Sequence, residues 1–132
     1  MDGEAMTIKF INAPDAAPAG GHYSHAVSAN GFTFVSGILP VVAGAQGHTI
    51  LPIANQMESV LANALAILTE AGHTREQVVK TTIYVVDIAN WPEIDSLYAA
   101  FFGSHRPARA VVPVPALHHG YSVEMELMLV ET

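Results

Sequence analysis

Arg109 is the residue that most plainly asks for a chemical partner. It heads the Val-rich run "ARAVVPV" (108–114) in a chain with only five Lys and Arg. A guanidinium offers a planar fork of donors that grips a carboxylate at two points, a task lysine performs poorly. The plainer reading is a surface arginine at a strand start, paired with Glu124 or Glu126. Those glutamates interrupt the apolar run "VEMELMLV" (123–130), whose other face is Val123, Met125, Leu127 and Leu129. They are either its solvated face or, in one case, a pocket carboxylate able to take a proton from water. If a loop of even length around His118-His119 joins two strands as a hairpin, both glutamates share a face with Arg109, and Glu126 lies nearer. An odd loop or a bulge reverses the faces. Periodicity does not choose Glu124.

The other reactive side chains form no known constellation. Seven histidines invite a metal, but His22 and His25 lie three apart in a loop-to-strand context, His118-His119 is a turn pair, and no HExxH occurs. No metal site is expected. Ser36-Gly37 follows a strand without a GxSxG elbow. Neither a P-loop nor GxGxxG is present, so Gly20-Gly21 reads as a flexible loop. With no cysteine, thiolate chemistry and disulfides are excluded. The net charge of −7 argues against nucleic acid, which needs a basic stripe. It also makes Arg109 more informative, because a small anionic ligand needs a local positive group.

These groups must be held by something compact. At 132 residues, 51% hydrophobic and 13% charged, the chain is expected to fold as a single domain over residues 1–132. No apolar run approaches the roughly 20 residues of a membrane helix. The acidic start "MDGEAM" lacks the pattern of a secretory signal, so a cytoplasmic protein is expected. So apolar a chain is expected to hide surface against copies of itself.

Along the chain, "TIKFI" (7–11) reads as a short strand and "NAPDAAPAGG" (12–21) as a loop. Asn30-Gly31 between "SHAVSA" and "FTFVSG" is a strong hairpin signal. From Ile53 to Ala71, apolar residues recur at three and four, which predicts a long amphipathic helix stopped by Gly72. "VVKTTIYVV" (78–86) predicts a central strand. Asn90 is the expected cap of a second helix, with Pro92 in its first turn and Ile94, Leu97, Tyr98 and Phe101 buried. Two final strands joined as a hairpin complete an α+β layer: a mostly antiparallel sheet packed by two helices. Pro113 and Pro115 leave one side of their strand without donors, which suits a sheet margin or a subunit seam.

In this order the pieces resemble the reactive intermediate deaminase (RidA/YjgF) family. The matching stretches are "NAP" (12–14), "GHYSHAV" (21–27), "FVSGILPV" (34–41), "VVKTTIYVVDI" (78–88), "YAAFF" (98–102), "RPARAVVPV" (106–114) and "VEMELMLV" (123–130). The resemblance implies a chorismate mutase-like fold, assembled as a homotrimer with sites between subunits, and hydrolysis of imino or enamino acids to 2-oxo acids and ammonia without a cofactor. It places the substrate-carboxylate arginine at Arg109, the water-positioning glutamate at Glu124, the pocket tyrosine at Tyr23, and the pocket Ser-Gly at Ser36 and Gly37. Four positions depart from the family pattern. Asp95 replaces an asparagine and would repel an anionic substrate if it faced one. Val111 replaces a cysteine whose backbone is the useful part. "LHHG" replaces an "LP" segment, and His25 stands where glutamine is familiar. These changes keep open a different enamine substrate, such as an aminomuconate-like acid, or a non-catalytic module binding small carboxylates. A ribonuclease or translation inhibitor is disfavoured by the net charge.

Overall fold

The structure, a computed structural model, describes residues 7–131. Its strands are β1 (Lys9–Ile11), β2 (Ala26–Ala29), β3 (Phe32–Ile38), β4 (Val78–Val85), β5 (Ala108–Pro113) and β6 (Val123–Val130). The helices are α1 (Ile53–Glu70) and α2 (Trp91–Phe102). One six-stranded sheet runs β1-β2-β3-β6-β4-β5, antiparallel throughout except for β4 and β5. Both helices pack on one face of it, the α+β layer expected from the sequence.

Local chemistry explains the elements that were foreseen. Asn30 and Gly31 take positive φ (54° and 83°), the left-handed pair that closes a two-residue hairpin in the twist its strands prefer. At the end of α1, Gly72 adopts φ 77°. The Gly72 and His73 amides then donate to the carbonyls of Thr69 and Leu68, satisfying the last turn. The helix buries Met57, Val60, Leu61, Ala64, Ile67 and Leu68 against the alternate residues Val123, Met125, Leu127 and Leu129 of β6. Removing an 18-residue amphipathic stripe of this kind from water is the main driving force for the layer.

Two expectations are corrected. The last two strands do not form a hairpin: β6 lies between β3 and β4, and β5 runs parallel to β4 at the sheet margin. The helix α2 provides the crossover that a parallel pair requires. The prolines fit the margin, where Val114 donates its amide to the Val85 carbonyl. Asn90 does not cap α2 with its side chain. It ends a short 3-10 turn (Ile88–Asn90) whose cap is Asp87, accepting from the Ala89 amide at 3.0 Å.

Candidate active site

The sheet order separates Arg109 from both glutamates. Thr81 pairs with Arg109 on one side and Leu127 on the other, while Tyr84 pairs with Glu124. Arg109 therefore shares the helix face with Leu127, and Glu124 and Glu126 point to the opposite face. They also stand two strand spacings apart, roughly 10 Å. The same-face arrangement of the even-loop hairpin is thus overturned, because there is no hairpin.

On the helix side, Arg109 donates to Asp95 Oδ1 at 2.8 Å, in place of the glutamates named for it. Its guanidinium also lies 4.9 Å from the Trp91 ring centre and 5.0 Å from that of Tyr98. Aromatic faces hold such a planar cation by its charge and leave the edge donors free. Tyr98 is fixed in turn by a 2.8 Å hydrogen bond with the buried Thr81 hydroxyl. Burial pushes the Tyr98 hydroxyl up from its ordinary pKa. Asp95, the carboxylate that departs from the family pattern, is turned toward the cation and paired with it. Val111 lies half-buried along the same strand, opposite Ile83.

The second group gathers where β3 departs from regular pairing with β6. The register shifts between Val35 and Ile38, and Ser36 and Gly37 occupy the irregularity. Ser36 is locked by its own hydroxyl, which donates to the Ser24 carbonyl at 2.7 Å, and by its amide, which donates to the His25 carbonyl. Gly37 lies directly against the Glu124 carboxylate: a Cβ there would stand 2.7 Å from Oε2, so Glu124 would have to move. Glu124 is half-buried and accepts no hydrogen bond among the described residues. Desolvation raises its pKa above the ordinary carboxylate value. His118 works against that shift and Glu126 adds to it. Glu126 is engaged, accepting from the Tyr84 hydroxyl at 2.7 Å. A cavity of about 100 Å³ opens beside Ser36 and Gly37, with Tyr23 also in its wall.

The histidines divide by role. His25 is buried: its Nδ1 accepts from the Ala13 amide and its Nε2–H donates to the Ala17 carbonyl, both at 2.9 Å. It ties the loop that bears Tyr23 to the sheet. Among the described residues no three His, Asp or Glu side chains are placed to hold a metal ion. Sequence reasoning missed Trp91 as a support for Arg109. It also missed His48, which stacks on His119 across the cavity wall with ring centres 3.6 Å apart. Neither residue has a local pattern, since each meets its partner only through the fold.

Residues 11–131 match the family profile described as Endoribonuclease L-PSP. The mitochondrial protein MMF1 of Saccharomyces cerevisiae is 34% identical over 95% of this chain and 86% of its own length. The chloroplastic Reactive Intermediate Deaminase A of Arabidopsis thaliana is 34% identical over 89% of this chain and 64% of its own. The crystal structure of Escherichia coli TdcF with bound serine superposes with a TM-score of 0.87 at 28% identity, covering 94% of this chain and 99% of that one. The chain belongs to the YjgF/RidA family. That membership includes members named as deaminases and others named as endoribonucleases.

Proposed function

We propose that this protein hydrolyses 2-imino acids and their enamine tautomers, with 2-iminobutanoate and 2-iminopropanoate as the simplest substrates, to 2-oxo acids and ammonia. The observation that carries the reading is Glu124. It is a half-buried carboxylate with no hydrogen-bond partner among the described residues and a raised pKa, set against Gly37, which with Tyr23 and Ser36 lines a cavity. An iminium carbon is already electrophilic, so the protein need only fix the acid, orient water and manage protons. Water oxygen adds to the C=N carbon as Glu124 takes one of its protons. Glu124 then returns that proton to nitrogen and takes the remaining hydroxyl proton as the C–N bond breaks, so that ammonia leaves and a 2-oxo acid is formed.

Arg109 holds the substrate carboxylate in this scheme. It lies on the other face of the sheet from Glu124, so we assign the complete site to two subunits, Arg109 of one facing Glu124 of its neighbour. A homotrimer fits, with the uncovered sheet face around Phe32 and Phe34 (39% and 44% exposed) as the buried seam. Light scattering that gives a monomer at micromolar concentration removes the shared site. Activity is tested by generating imino acids with an amino acid oxidase or dehydratase and following their decay. Unchanged decay at enzyme-like concentrations, across several imino acids, refutes the reading. A non-catalytic carboxylate binder is the second reading, and Glu124 speaks against it, because such a module gains nothing from a carboxylate beside an anion.

A further inference from the structure

We propose that His48 and His119 form a subsite for the substrate side chain, selecting imino acids whose side chain ends in a second carboxylate. This rests on the deaminase reading, and it names a substrate class. The two rings come from separate segments, His48 from the irregular stretch before α1 and His119 from the turn before β6. They lie nearly parallel, 9° apart, with centres 3.6 Å from one another, in the wall of the cavity that holds Tyr23, Ser36 and Gly37. His119 takes φ 61°, a left-handed conformation that histidine, like asparagine and aspartate, adopts more readily than most residues.

The packing around the stack leaves nitrogens unused. The buried Tyr121 hydroxyl bonds His48 Nδ1 at 3.0 Å, with its ring edge-on to both histidines. Among the described residues, His48 Nε2 and both His119 nitrogens have no hydrogen-bond partner. Parallel rings do not converge their lone pairs as metal ligands do, so a metal is not the natural occupant. An anion is. No Lys or Arg lines this cavity, and its only cationisable side chains are His25, His48 and His119. His25 has both nitrogens committed to backbone.

The charged groups facing the pair are accounted for. His118 lies beside His119 with ring centres 5.9 Å apart. Tyr121 carries a hydroxyl that burial holds protonated, and Tyr23 lines the same wall. Glu124 stands behind Gly37. Desolvation, then His48 and His118, lower the pKa of His119 from its ordinary value. A carboxylate placed on the free nitrogens favours the protonated ring, and binding then draws in a proton. A cavity of about 100 Å³ suits a short acidic side chain.

Stable 2-oxo acid products make the test direct. Affinities of 2-oxoglutarate and 2-oxobutanoate are measured calorimetrically on the intact protein at about pH 6 and about pH 8, which bracket imidazole titration. The expected preference for 2-oxoglutarate is about tenfold at the lower pH, the size of one charge-assisted hydrogen bond, with proton uptake seen as buffer-dependent heat. It collapses toward unity at the higher pH, and in His119→Ala and His48→Gln at both. The glutamine retains a partner for Tyr121, so loss of the wall is separated from loss of the imidazole. Equal affinities for the two acids at both pH values overturn the subsite, as does a preference that survives both substitutions. If 2-oxobutanoate binds and monocarboxylic imines are hydrolysed, those results sink the subsite alone. If no imine is hydrolysed and neither acid binds, the deaminase reading fails with it.

Discussion

Asp95→Asn isolates the role of Arg109 more cleanly than deleting the arginine. Asp95 Oδ1 accepts from the guanidinium at 2.8 Å, and asparagine keeps an oxygen that can do the same. Only the charge changes. A substrate carboxylate gripping the remaining donors of Arg109 lies about 5 Å from Asp95, where two like charges repel by roughly 1–3 kcal/mol across effective dielectrics between water and a protein surface. The Asp95 side chain is 43% exposed, so screening leaves about 1 kcal/mol of that. The variant is therefore expected to bind 2-oxobutanoate and to turn over 2-iminobutanoate with about fivefold lower Kd and KM at low ionic strength. The gain shrinks as salt is added. Thermal unfolding should barely move, because an exposed ion pair contributes less than about 1 kcal/mol. An unchanged or raised KM in a normally folded Asp95→Asn protein would refute the assignment of the substrate carboxylate to Arg109.

Three further outcomes follow from the same geometry. Arg109→Lys should lose nearly as much kcat/KM as Arg109→Ala, about 30- to 1,000-fold, because lysine lacks the planar fork; an Arg109→Ala protein that unfolds would make the arginine structural. Gly37→Ala sets a methyl 2.7 Å from Glu124 Oε2, and the flexible carboxylate is expected to swing aside. Turnover should fall on the order of 100-fold with little change in Tm, as steady-state kinetics and calorimetry will show. Glu124→Gln should keep 2-oxo acid binding, lose turnover and raise Tm near neutral pH. The folded pKa of Glu124 is raised by burial, so its stabilising contribution is full below the unfolded carboxylate value and lost as pH rises through the folded one. Glutamine removes that loss, so the Tm gain should vanish in acid. Full activity in Glu124→Gln would instead direct attention to Glu126 and the His118-His119 pair.

The elements legible in the sequence are those whose signals are local. The Asn30-Gly31 hairpin, the stripe of α1 and the Gly72 stop each depend on residues a few positions apart, and each appears where its chemistry requires. The closing hairpin failed because strand pairing is not local. Adjacent apolar strands read alike whether they pair with each other or admit a third between them. Here β6 finds two partners, β3 and β4, and is buried on its helix face along its whole length. The edge position goes to β5, whose prolines tolerate a missing neighbour. Those prolines were the clue, and they said where β5 belongs without saying which strand it joins.

The candidate site fails to assemble in one chain for the same topological reason. Arg109 and Glu124 are fifteen residues apart in sequence, near enough to suggest a shared face. Across the intervening β4 the register aligns Arg109 with Thr81 and Leu127 on the helix side and leaves Glu124 on the other. The resemblance points to Glu124, which periodicity does not choose, and the structure commits Glu126 to Tyr84. Glu124 stays free because its neighbour across the irregular β3 is Gly37, which leaves space for a carboxylate and donates nothing to it. A charge kept half-buried and unpaired costs stability, a cost that glutamine would avoid. Arg109 is held in the complementary way, with one edge on Asp95 and a face on two aromatic rings, so its other donors remain available. Each group is fixed by its own chain and completed by neither. In the proposed assembly, these half-sites on opposite faces of one thin sheet become a working pair when a second copy presents its arginine side to the first copy's glutamate. Under the proposed shared site, assembly is a condition of the chemistry, and dissociation should abolish turnover in a protein whose subunits are still folded.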